Sequence, residues 1–148
     1  MFWDKISGLY DLFENIYNRK VYTGTGRKVA EYIEAGDEVL ECACGTGAIS
    51  IYIAPKCKKL TATDFSEGML KQASKKCRRF SNITIQKADI TKLDFADAAF
   101  DKVVAGNVIH LLLDLESYKQ FFTDMGYSDI EYEVVDGRMP CAVAVIKN

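Results

Sequence analysis

Hydrophobic residues recur along this chain with two different periods, and the changes of period mark out its predicted elements. Between Ile6 and Tyr17, apolar residues recur every three or four positions, which predicts a helix over residues 4–17. A second stretch with the same period predicts a helix over residues 25–35, which ends at Gly36 because glycine commonly terminates helices. Two helices are therefore expected before the first strand.

Short apolar runs then alternate with amphipathic stretches through the middle of the chain. The runs predict four strands, at residues 38–42, 60–63, 83–88 and 102–105. Between them we expect one helix over residues 46–54, ended by Pro55, and another that begins after Ser66 as its N-cap. Strands that alternate with helices are typical of a parallel sheet covered by helices, so the predicted fold class is α/β.

The last third of the sequence departs from this alternation. A single apolar face runs from Leu111 to Met125 and predicts one long helix, which Gly126 would close. Two apolar runs follow, at residues 130–135 and 141–146, on either side of a turn. These two runs predict an antiparallel hairpin.

Composition places the chain among single globular domains. It has 148 residues, of which 49% are hydrophobic and 27% charged, and no segment has the composition of a linker or a repeat. The apolar content and the net charge of −2 exclude intrinsic disorder. The longest apolar runs, such as Ala142 to Ile146, are far shorter than the ~18 residues of a membrane span. We therefore expect one domain over residues 1–148 and no membrane partner.

Charge patterning argues against a polyanionic partner. The chain has 19 basic and 21 acidic residues, which give no global attraction to nucleic acid. Lys71, Lys75 and Lys76 have the spacing of the solvated outer face of a helix. Asp4 and Lys5 stand where a signal peptide would need apolar residues, which favours a cytoplasmic location.

Cysteine usage points to free thiols. The chain contains 5 cysteines, an odd number, so complete pairing within the chain is impossible. Cys42 and Cys44 suggest a metal-ligand pair at first sight, but the only histidine is His110 and no second pair has zinc-ligand spacing. We therefore expect no metal site and interpret both cysteines as small residues of a tight turn.

The segment from Val39 to Gly47 carries the most informative chemistry. It has the pattern of a strand, a turn with two glycines and the start of a helix, which brings backbone close to a ligand at a helix N-terminus. By itself, Gly45-Thr46-Gly47 also fits a purely structural turn. Glu41 distinguishes between possible ligands, because a carboxylate at the strand end would repel a pyrophosphate and would suit a ligand with a cationic amino group.

S-adenosylmethionine, which joins adenosine to a sulfonium and an amino acid, has that chemistry. The dinucleotide-binding fingerprint instead needs a third glycine where this chain has Ser50. Asp64 follows the second predicted strand, where a carboxylate can accept both ribose hydroxyls. A lone aspartate there is usually a helix cap, but Ser66 already supplies that cap, which leaves Asp64 free. Asp89 could accept from the adenine amino group, and Phe65 could cover the ring.

Four consecutive motifs resemble the class I S-adenosylmethionine-dependent methyltransferases, in particular the ubiquinone/menaquinone-methyltransferase-like branch that acts on small molecules. The motifs lie at residues 41–47, 63–70, 88–90 and 100–107. The resemblance implies a Rossmann-like sheet, S-adenosylmethionine as cofactor, and methyl transfer to a small-molecule acceptor. The cofactor-binding residues that it implies are Glu41, Ala43, Cys44, Gly45, Gly47, Asp64, Phe65, Met69, Asp89, Ile90 and Asn107.

The resemblance also implies a division of roles. The methionine part would be held by Glu41 and the backbone of residues 45–47, the ribose by Asp64, and the adenine by Asp89 and Ile90. Asn107 would line the cavity in which the methyl group is transferred. Tyr10 resembles part of the segment that covers the cofactor in this branch, so residues 1–36 would form a helical lid on an α/β core of residues 37–148.

Two features depart from the family pattern. Ala43 stands where the family usually has its first glycine, although alanine is small. The segment between Asn107 and Asp129 has room for one helix only, so the family's fifth strand and the helix with it are missing. The hairpin is then expected beside the fourth strand, in the order 3-2-1-4-7-6 in family labels, with strand 7 antiparallel. A shortened connection also favours hairpin exchange, so a homodimer or a domain-swapped dimer is an alternative to the monomer.

The catalytic residues follow less directly from the sequence. His110 comes after the fourth strand and is a candidate base, or else it packs among its apolar neighbours. Tyr10 is a candidate for the acceptor pocket, or else a residue at the edge of the core. Because the missing unit removes part of the acceptor wall, we expect cofactor binding with weak methyl transfer that depends on residues 1–20. The alternatives are a cofactor-binding remnant with little or no catalysis and, third, a nicotinamide-dependent reductase.

Overall fold

The computed structural model describes residues 19–106, 123–124, 129–135 and 141–147. In chain order, its helices and strands are α1 (Arg19–Glu31), β1 (Glu38–Cys42), α2 (Ser50–Ile53), β2 (Lys59–Asp64), α3 (Glu67–Cys77), β3 (Ile83–Lys87), β4 (Lys102–Gly106), β5 (Asp129–Val135) and β6 (Cys141–Lys147). The helix predicted over residues 4–17 lies outside the described residues. So does the helix predicted from Leu111 to Met125, apart from residues 123–124, which are helical.

The described strands form one six-stranded sheet in the order β3-β2-β1-β4-β6-β5. The first four strands along the chain run parallel, whereas β6 runs antiparallel to both β4 and β5. In family labels this is the predicted order 3-2-1-4-7-6, with β6 as strand 7. Val103 of β4 and Ile146 of β6 are direct partners, so β6 occupies the position beside β4. The α/β class and the placement of the hairpin are therefore confirmed.

The central strands are buried on both faces. Val39 and Leu40 are adjacent in β1 and are 0% and 1% exposed, and adjacent Val103 and Val104 in β4 are both fully buried. Neighbouring residues of a strand point to opposite faces, so this burial requires cover on both sides of the sheet. Each such side chain contributes roughly 1.5–3 kcal/mol when it leaves water.

The residues that follow the C-terminus of helix α1 are attached to the start of strand β4. Lys102, at the start of β4, donates to the Tyr32 carbonyl and forms a 2.7 Å ion pair with Asp37. Asp37 also accepts a 2.7 Å hydrogen bond from the Glu34 backbone N–H. These contacts hold the residues after the helix in a turn, which is the physical reason why the helix predicted over residues 25–35 ends early. It also begins earlier than the periodicity indicated.

The helix predicted over residues 46–54 is present only as the single turn of α2. Gly47 has a φ of +81°, in the left-handed region, and residues 45–49 form turns. A left-handed residue interrupts a right-handed helix, so regular α-helix starts only at Ser50. The chain therefore approaches α2 through an irregular turn, and that turn becomes part of the candidate site.

Helix α3 begins where the sequence predicts. Ser66 has extended backbone, and its Oγ accepts a 3.2 Å hydrogen bond from the Met69 N–H, as expected of an N-cap. The basic residues of the last turn, Lys75 and Lys76, complement the negative end of the helix dipole. The predicted N-cap is confirmed.

Parallel pairing brings the carboxyl ends of the first four strands to one edge of the sheet. Cys42 at the end of β1 pairs with Ala105 of β4, and Asp64 at the end of β2 pairs with Lys87 of β3. In open α/β sheets, ligands bind beyond this edge. None of the helices in the described part of the chain has the length and apolar character needed to cross a membrane.

Candidate cofactor-binding site

The turn after β1, residues 43–47, is unusual in its backbone. Ala43, Gly45 and Gly47 all have positive φ, at +53°, +56° and +81°. The turn is tied down at Cys44, whose N–H donates a 2.9 Å hydrogen bond to the Thr63 carbonyl of β2 and whose carbonyl accepts one from the Gly47 N–H at 2.9 Å. The alternating left-handed residues give the chain a sharply folded loop at the carboxyl edge.

The two glycines of the turn have different roles. A Cβ atom built on Gly45 would meet no atom within 4 Å, so this residue borders open space. A Cβ atom on Gly47 would lie 3.2 Å from Cys77 Sγ and 3.3 Å from Ala73 Cα, so Gly47 permits close packing of the turn on α3. Both residues were predicted to contact the cofactor. The structure places Gly45 against open space, where a ligand has room, whereas the Cα of Gly47 faces α3.

Ala43 departs from the family pattern at a conformationally demanding position. Its φ of +53° is in the left-handed region, which costs an L-residue with a Cβ atom roughly 1–2 kcal/mol relative to the right-handed region. The sequence argument considered only the size of the alanine side chain. The structure shows that alanine in place of the family's glycine raises the conformational energy of the turn backbone.

Asp64 connects this turn to the start of α3. Its carboxylate is 6% exposed; Oδ2 accepts a 2.9 Å hydrogen bond from the Gly45 N–H, and Oδ1 accepts one from the Ser66 N–H at 2.9 Å. The prediction that capping by Ser66 leaves Asp64 free is therefore wrong. The hydroxyl of Ser66 caps α3, but the backbone N–H of the same residue is satisfied by Asp64.

Glu41 is buried beneath the turn. It is 1% exposed, and its Oε2 accepts a 2.5 Å hydrogen bond from the Ser50 hydroxyl, itself fully buried. Burial, opposed by the Ser50 hydrogen bond and reinforced by the negative charge of Asp64, raises the pKa of the Glu41 carboxyl to about 8. At neutral pH the carboxyl is therefore mostly protonated in the protein alone.

Ser50 is the site residue whose role the sequence analysis missed. Its position was interpreted only as a missing third glycine, whereas the structure shows it as the donor to Glu41. A signal was present, because a serine on the buried side of the helix after β1 must find an acceptor, and the strand supplies Glu41.

The predicted adenine-side residues lie after β2 and β3. Phe65 is 41% exposed and thus presents a large hydrophobic side chain to solvent. Met69 is only 4% exposed and packs in the interior. Asp89 is exposed, and Thr91 donates to its Oδ1 from both Oγ1 and the backbone N–H, at 2.7 and 2.9 Å. These hydrogen bonds lower the pKa of Asp89, and the one from the Thr91 side chain has the larger effect. Ile90 is half-buried beside it.

Lys76 reaches the turn from α3. Its Nζ donates a 3.0 Å hydrogen bond to Oγ1 of Thr46, which is 1% exposed. The spacing predicted a solvated helix face for this lysine, and the contact with Thr46 contradicts that prediction. The periodicity could not reveal it, because the two residues meet only when α3 packs on the turn.

Several predicted site residues lie outside the described part of the chain, namely Tyr10, Asn107 and His110.

Within the described residues, no three side chains of the metal-ligating types cluster together. Burial raises the pKa of the Cys42 thiol to about 12 and that of the Cys44 thiol still higher. Both thiols are therefore neutral at physiological pH.

Comparison with known proteins gives the family. A family model described as a methyltransferase domain matches residues 39–126. The ubiquinone/menaquinone biosynthesis C-methyltransferase UbiE of Bdellovibrio bacteriovorus is 35% identical over 104 residues, covering 67% of this chain and 44% of that protein. The demethylmenaquinone methyltransferase of Desulfitobacterium hafniense is 30% identical over 122 residues, covering 77% of this chain and 48% of that protein. The chain thus spans about half the length of these relatives.

Solved structures agree on the fold. The N-methyltransferase NodS from Bradyrhizobium japonicum, solved in complex with S-adenosyl-L-homocysteine, superposes with a TM-score of 0.65 at 18% identity, covering 91% of this chain and 90% of that one. The parallel 3-2-1-4 sheet with its glycine turn defines a Rossmann-like methyltransferase domain. With the family match and the related sequences, the chain belongs to the class I S-adenosylmethionine-dependent methyltransferases.

Proposed function

We propose that this domain binds S-adenosylmethionine at the turn of residues 43–47 and transfers its methyl group to a small-molecule acceptor. One contact supports this most directly: the 2.9 Å hydrogen bond from the Gly45 N–H to Asp64. It brings the first two family motifs together at the carboxyl edge, where α/β sheets bind ligands. The match of the methyltransferase family model to residues 39–126 supports the same proposal.

The residues at this edge fit the chemistry of the cofactor. Gly45 borders open space that a Cβ atom would otherwise occupy, so a ligand could approach the backbone there. Asp64 places a carboxylate beside the turn, which disfavours a pyrophosphate, and the carboxyl group of Glu41 offers an acceptor for a cationic ligand. The exposed ring of Phe65 offers an apolar surface for a purine. A nicotinamide dinucleotide fits this set less well.

Each residue then receives a role in the proposal. Asp64, oriented by two backbone N–H groups, accepts hydrogen bonds from the ribose, since a carboxylate has acceptor capacity for about four. Asp89 accepts from the adenine amino group, with Ile90 and Phe65 against the ring. Glu41, held by Ser50, supplies the counter-charge for the amino-acid end. Ala43, Cys44 and Gly47 shape the turn, and Met69 supports α3 from the interior.

S-adenosylmethionine supplies a methyl group on a positively charged sulfur, which is already an activated leaving group. The protein's tasks are to orient the acceptor and to exclude water. We propose that Asn107 lines the transfer cavity, that His110 removes a proton from a hydroxyl acceptor, and that Tyr10 belongs to a lid formed by residues 1–36 over a core of residues 37–148. The balanced charge of the chain supports a small acceptor over nucleic acid.

A second candidate function is cofactor binding with little or no catalysis. It is favoured by the direct pairing of β6 with β4, which fills the position of the family's fifth strand. Loops after the fourth and fifth strands ordinarily contribute to the acceptor wall in this family. Loss of one of them should reduce positioning, which can contribute ~7–11 kcal/mol to lowering a barrier.

Calorimetry and a turnover assay separate these possibilities. The full chain is titrated with S-adenosylmethionine, S-adenosylhomocysteine and NADH, and then assayed for production of S-adenosylhomocysteine with candidate small acceptors. Binding of the first two ligands with measurable turnover supports the proposal. Binding without turnover supports the second candidate. Tight NADH binding without S-adenosylmethionine binding would overturn both and favour the reductase.

A further inference from the structure

Glu41 is a buried acid whose described surroundings contain no counter-cation. Its carboxyl group is 1% exposed, and in the described part of the chain no lysine or arginine forms an ion pair with it. Among the described residues, the direct polar contact of this carboxyl group is the 2.5 Å hydrogen bond from Ser50. A carboxylate buried in this way without a cation is strongly disfavoured, so the group retains its proton.

The titratable neighbours of Glu41 reinforce this state. Asp64 on β2 faces it and adds negative charge. Three thiols lie close enough to interact with it electrostatically, on β1, in the turn and on α3: Cys42, Cys44 and Cys77. Burial raises the pKa of all three, with Cys42 at about 12 and Cys77 at about 11, so these thiols stay neutral near pH 7. Lys76 acts on Cys77 and donates to Thr46 in the turn.

From this geometry we infer that Glu41 is a proton-exchanging counter-ion: its buried carboxyl group is protonated in the free protein and loses its proton to solvent when a cationic cofactor binds at the turn. Ser50 acts as a positioning residue, because its hydroxyl stabilises the ionised carboxylate once the proton has left. The inference rests on the proposed cofactor and concerns how the site recognises charge.

The balance of the step involves a single proton. The O–H bond of the Glu41 carboxyl group breaks, the proton passes to water or buffer, and the carboxylate remains opposite the ligand's positive charge. The methyl donor has a sulfonium in addition to its amino group, whereas the demethylated product has a neutral thioether. Proton release should therefore be greater with the donor than with the product, and the site should discriminate against its own product.

Calorimetry counts the protons. Titrations of the full chain with S-adenosylmethionine at pH 7, in several buffers of different ionisation enthalpy, give the number released per ligand bound. Because burial holds the pKa of Glu41 above 7, most molecules carry this proton at pH 7, so up to about one proton should be released per ligand bound.

Variants then isolate the group responsible. Glu41→Gln keeps an acceptor for Ser50 but has no proton to lose, so its proton release should fall to the ligand's own contribution. Ser50→Ala should weaken binding of S-adenosylmethionine about tenfold at pH 7, and the loss should shrink at higher pH, where the carboxyl group ionises without help. A purely structural defect would not depend on pH. Ser74→Ala, on the exposed side of α3, is the matched control and should leave both quantities unchanged.

The outcomes are distinguishable. Greater proton release by the parent than by Glu41→Gln, and greater release with S-adenosylmethionine than with S-adenosylhomocysteine, supports the inference. Equal proton counts in parent and Glu41→Gln, with intact binding, would overturn it and leave the proposed function standing. A folded parent that binds neither ligand would overturn the proposed function, and this inference with it.

Discussion

The backbone N–H of Gly45 donates a 2.9 Å hydrogen bond to Oδ2 of Asp64, and this contact joins the turn after β1 to the end of β2. The other oxygen of the same carboxylate accepts from the Ser66 N–H at the start of α3. One buried side chain thus holds together the two segments that carry the first family motifs. It has a structural role in addition to its proposed contact with ribose.

Replacing Asp64 should therefore affect both stability and cofactor binding. Asp64→Ala leaves the buried Ser66 N–H and the half-buried Gly45 N–H without this acceptor. Loss of the acceptor for the buried donor alone should lower the free energy of unfolding by about 1–3 kcal/mol. It should also weaken binding of S-adenosylmethionine by about ten- to a hundredfold, the equivalent of roughly 1.5–3 kcal/mol. Urea denaturation and calorimetry measure the two effects. Asp94→Ala, an exposed aspartate in the loop before β4, is the control. Unchanged cofactor affinity in a folded Asp64→Ala protein would remove this residue from the binding site.

The left-handed conformation of Ala43 predicts a stabilising substitution. Ala43→Gly removes the Cβ strain at φ +53°, and after the entropy that glycine gains in the unfolded chain is subtracted, the net gain should be about 0.5–1 kcal/mol. Ala48→Gly, directly after the turn, where φ is not positive, should instead destabilise by about the same amount. Chemical denaturation of both variants tests this expectation. A loss of stability in Ala43→Gly would contradict the conformation described for the turn.

The raised pKa of Glu41 predicts how stability depends on pH. The folded protein holds this proton up to about pH 8, whereas the unfolded chain releases it near 4.5, so between those values the folded state binds more protons. The stabilising contribution is fully present below about pH 4.5 and is lost as pH rises towards 8, with a slope on the order of 1 kcal/mol per pH unit. Denaturation at pH 5, 6, 7 and 8 measures it. Glu41→Gln should flatten the profile, and parallel profiles for the two proteins would refute this assignment.

The ion pair of Lys102 and Asp37 should be important for stability and unimportant for the cofactor. Both side chains are nearly buried, at 10% and 12% exposed, so Lys102→Met would leave an unpaired buried carboxylate and cost about 3–5 kcal/mol. The pair between Lys58 and Glu38 is much more exposed, at 65% and 38%, and Lys58→Met should cost less than about 1 kcal/mol. Calorimetry should show unchanged cofactor affinity in both folded variants, because Lys102 begins β4 at the edge opposite the turn. Equal losses of stability would contradict the difference in burial.

Residues before α1 should matter for turnover more than for cofactor binding. Deleting residues 1–18 keeps α1 whole and retains every described cofactor-side residue, so binding of S-adenosylmethionine should persist. Methyl transfer, which we expect to be weak, should fall further if the deleted segment completes the acceptor wall. Parallel calorimetry and turnover assays of the full and shortened chains measure this. Unchanged turnover would show that the lid proposal is wrong.

Local pattern was sufficient to predict the strands and their alternation with helices, whereas their order in the sheet followed from the family resemblance. The six strands were predicted to within a residue or so at each end, because short apolar runs between turn residues leave few alternatives. The helices were less well bounded. The helix predicted over residues 25–35 ends at Glu31 because Lys102 and Asp37 hold the following residues. The helix predicted over residues 46–54 is interrupted by the left-handed Gly47.

The sequence by itself determined the alternation of strands and helices, the motifs at the strand ends, and hence the family, since these depend on residues close together along the chain. Only the tertiary structure decided that Gly47 packs on α3 while Gly45 borders open space. It also decided that Asp64 binds two backbone N–H groups and that Glu41 is buried with Ser50 and keeps its proton. These properties arise from distances between residues far apart in sequence and from exclusion of water, neither of which a local pattern contains.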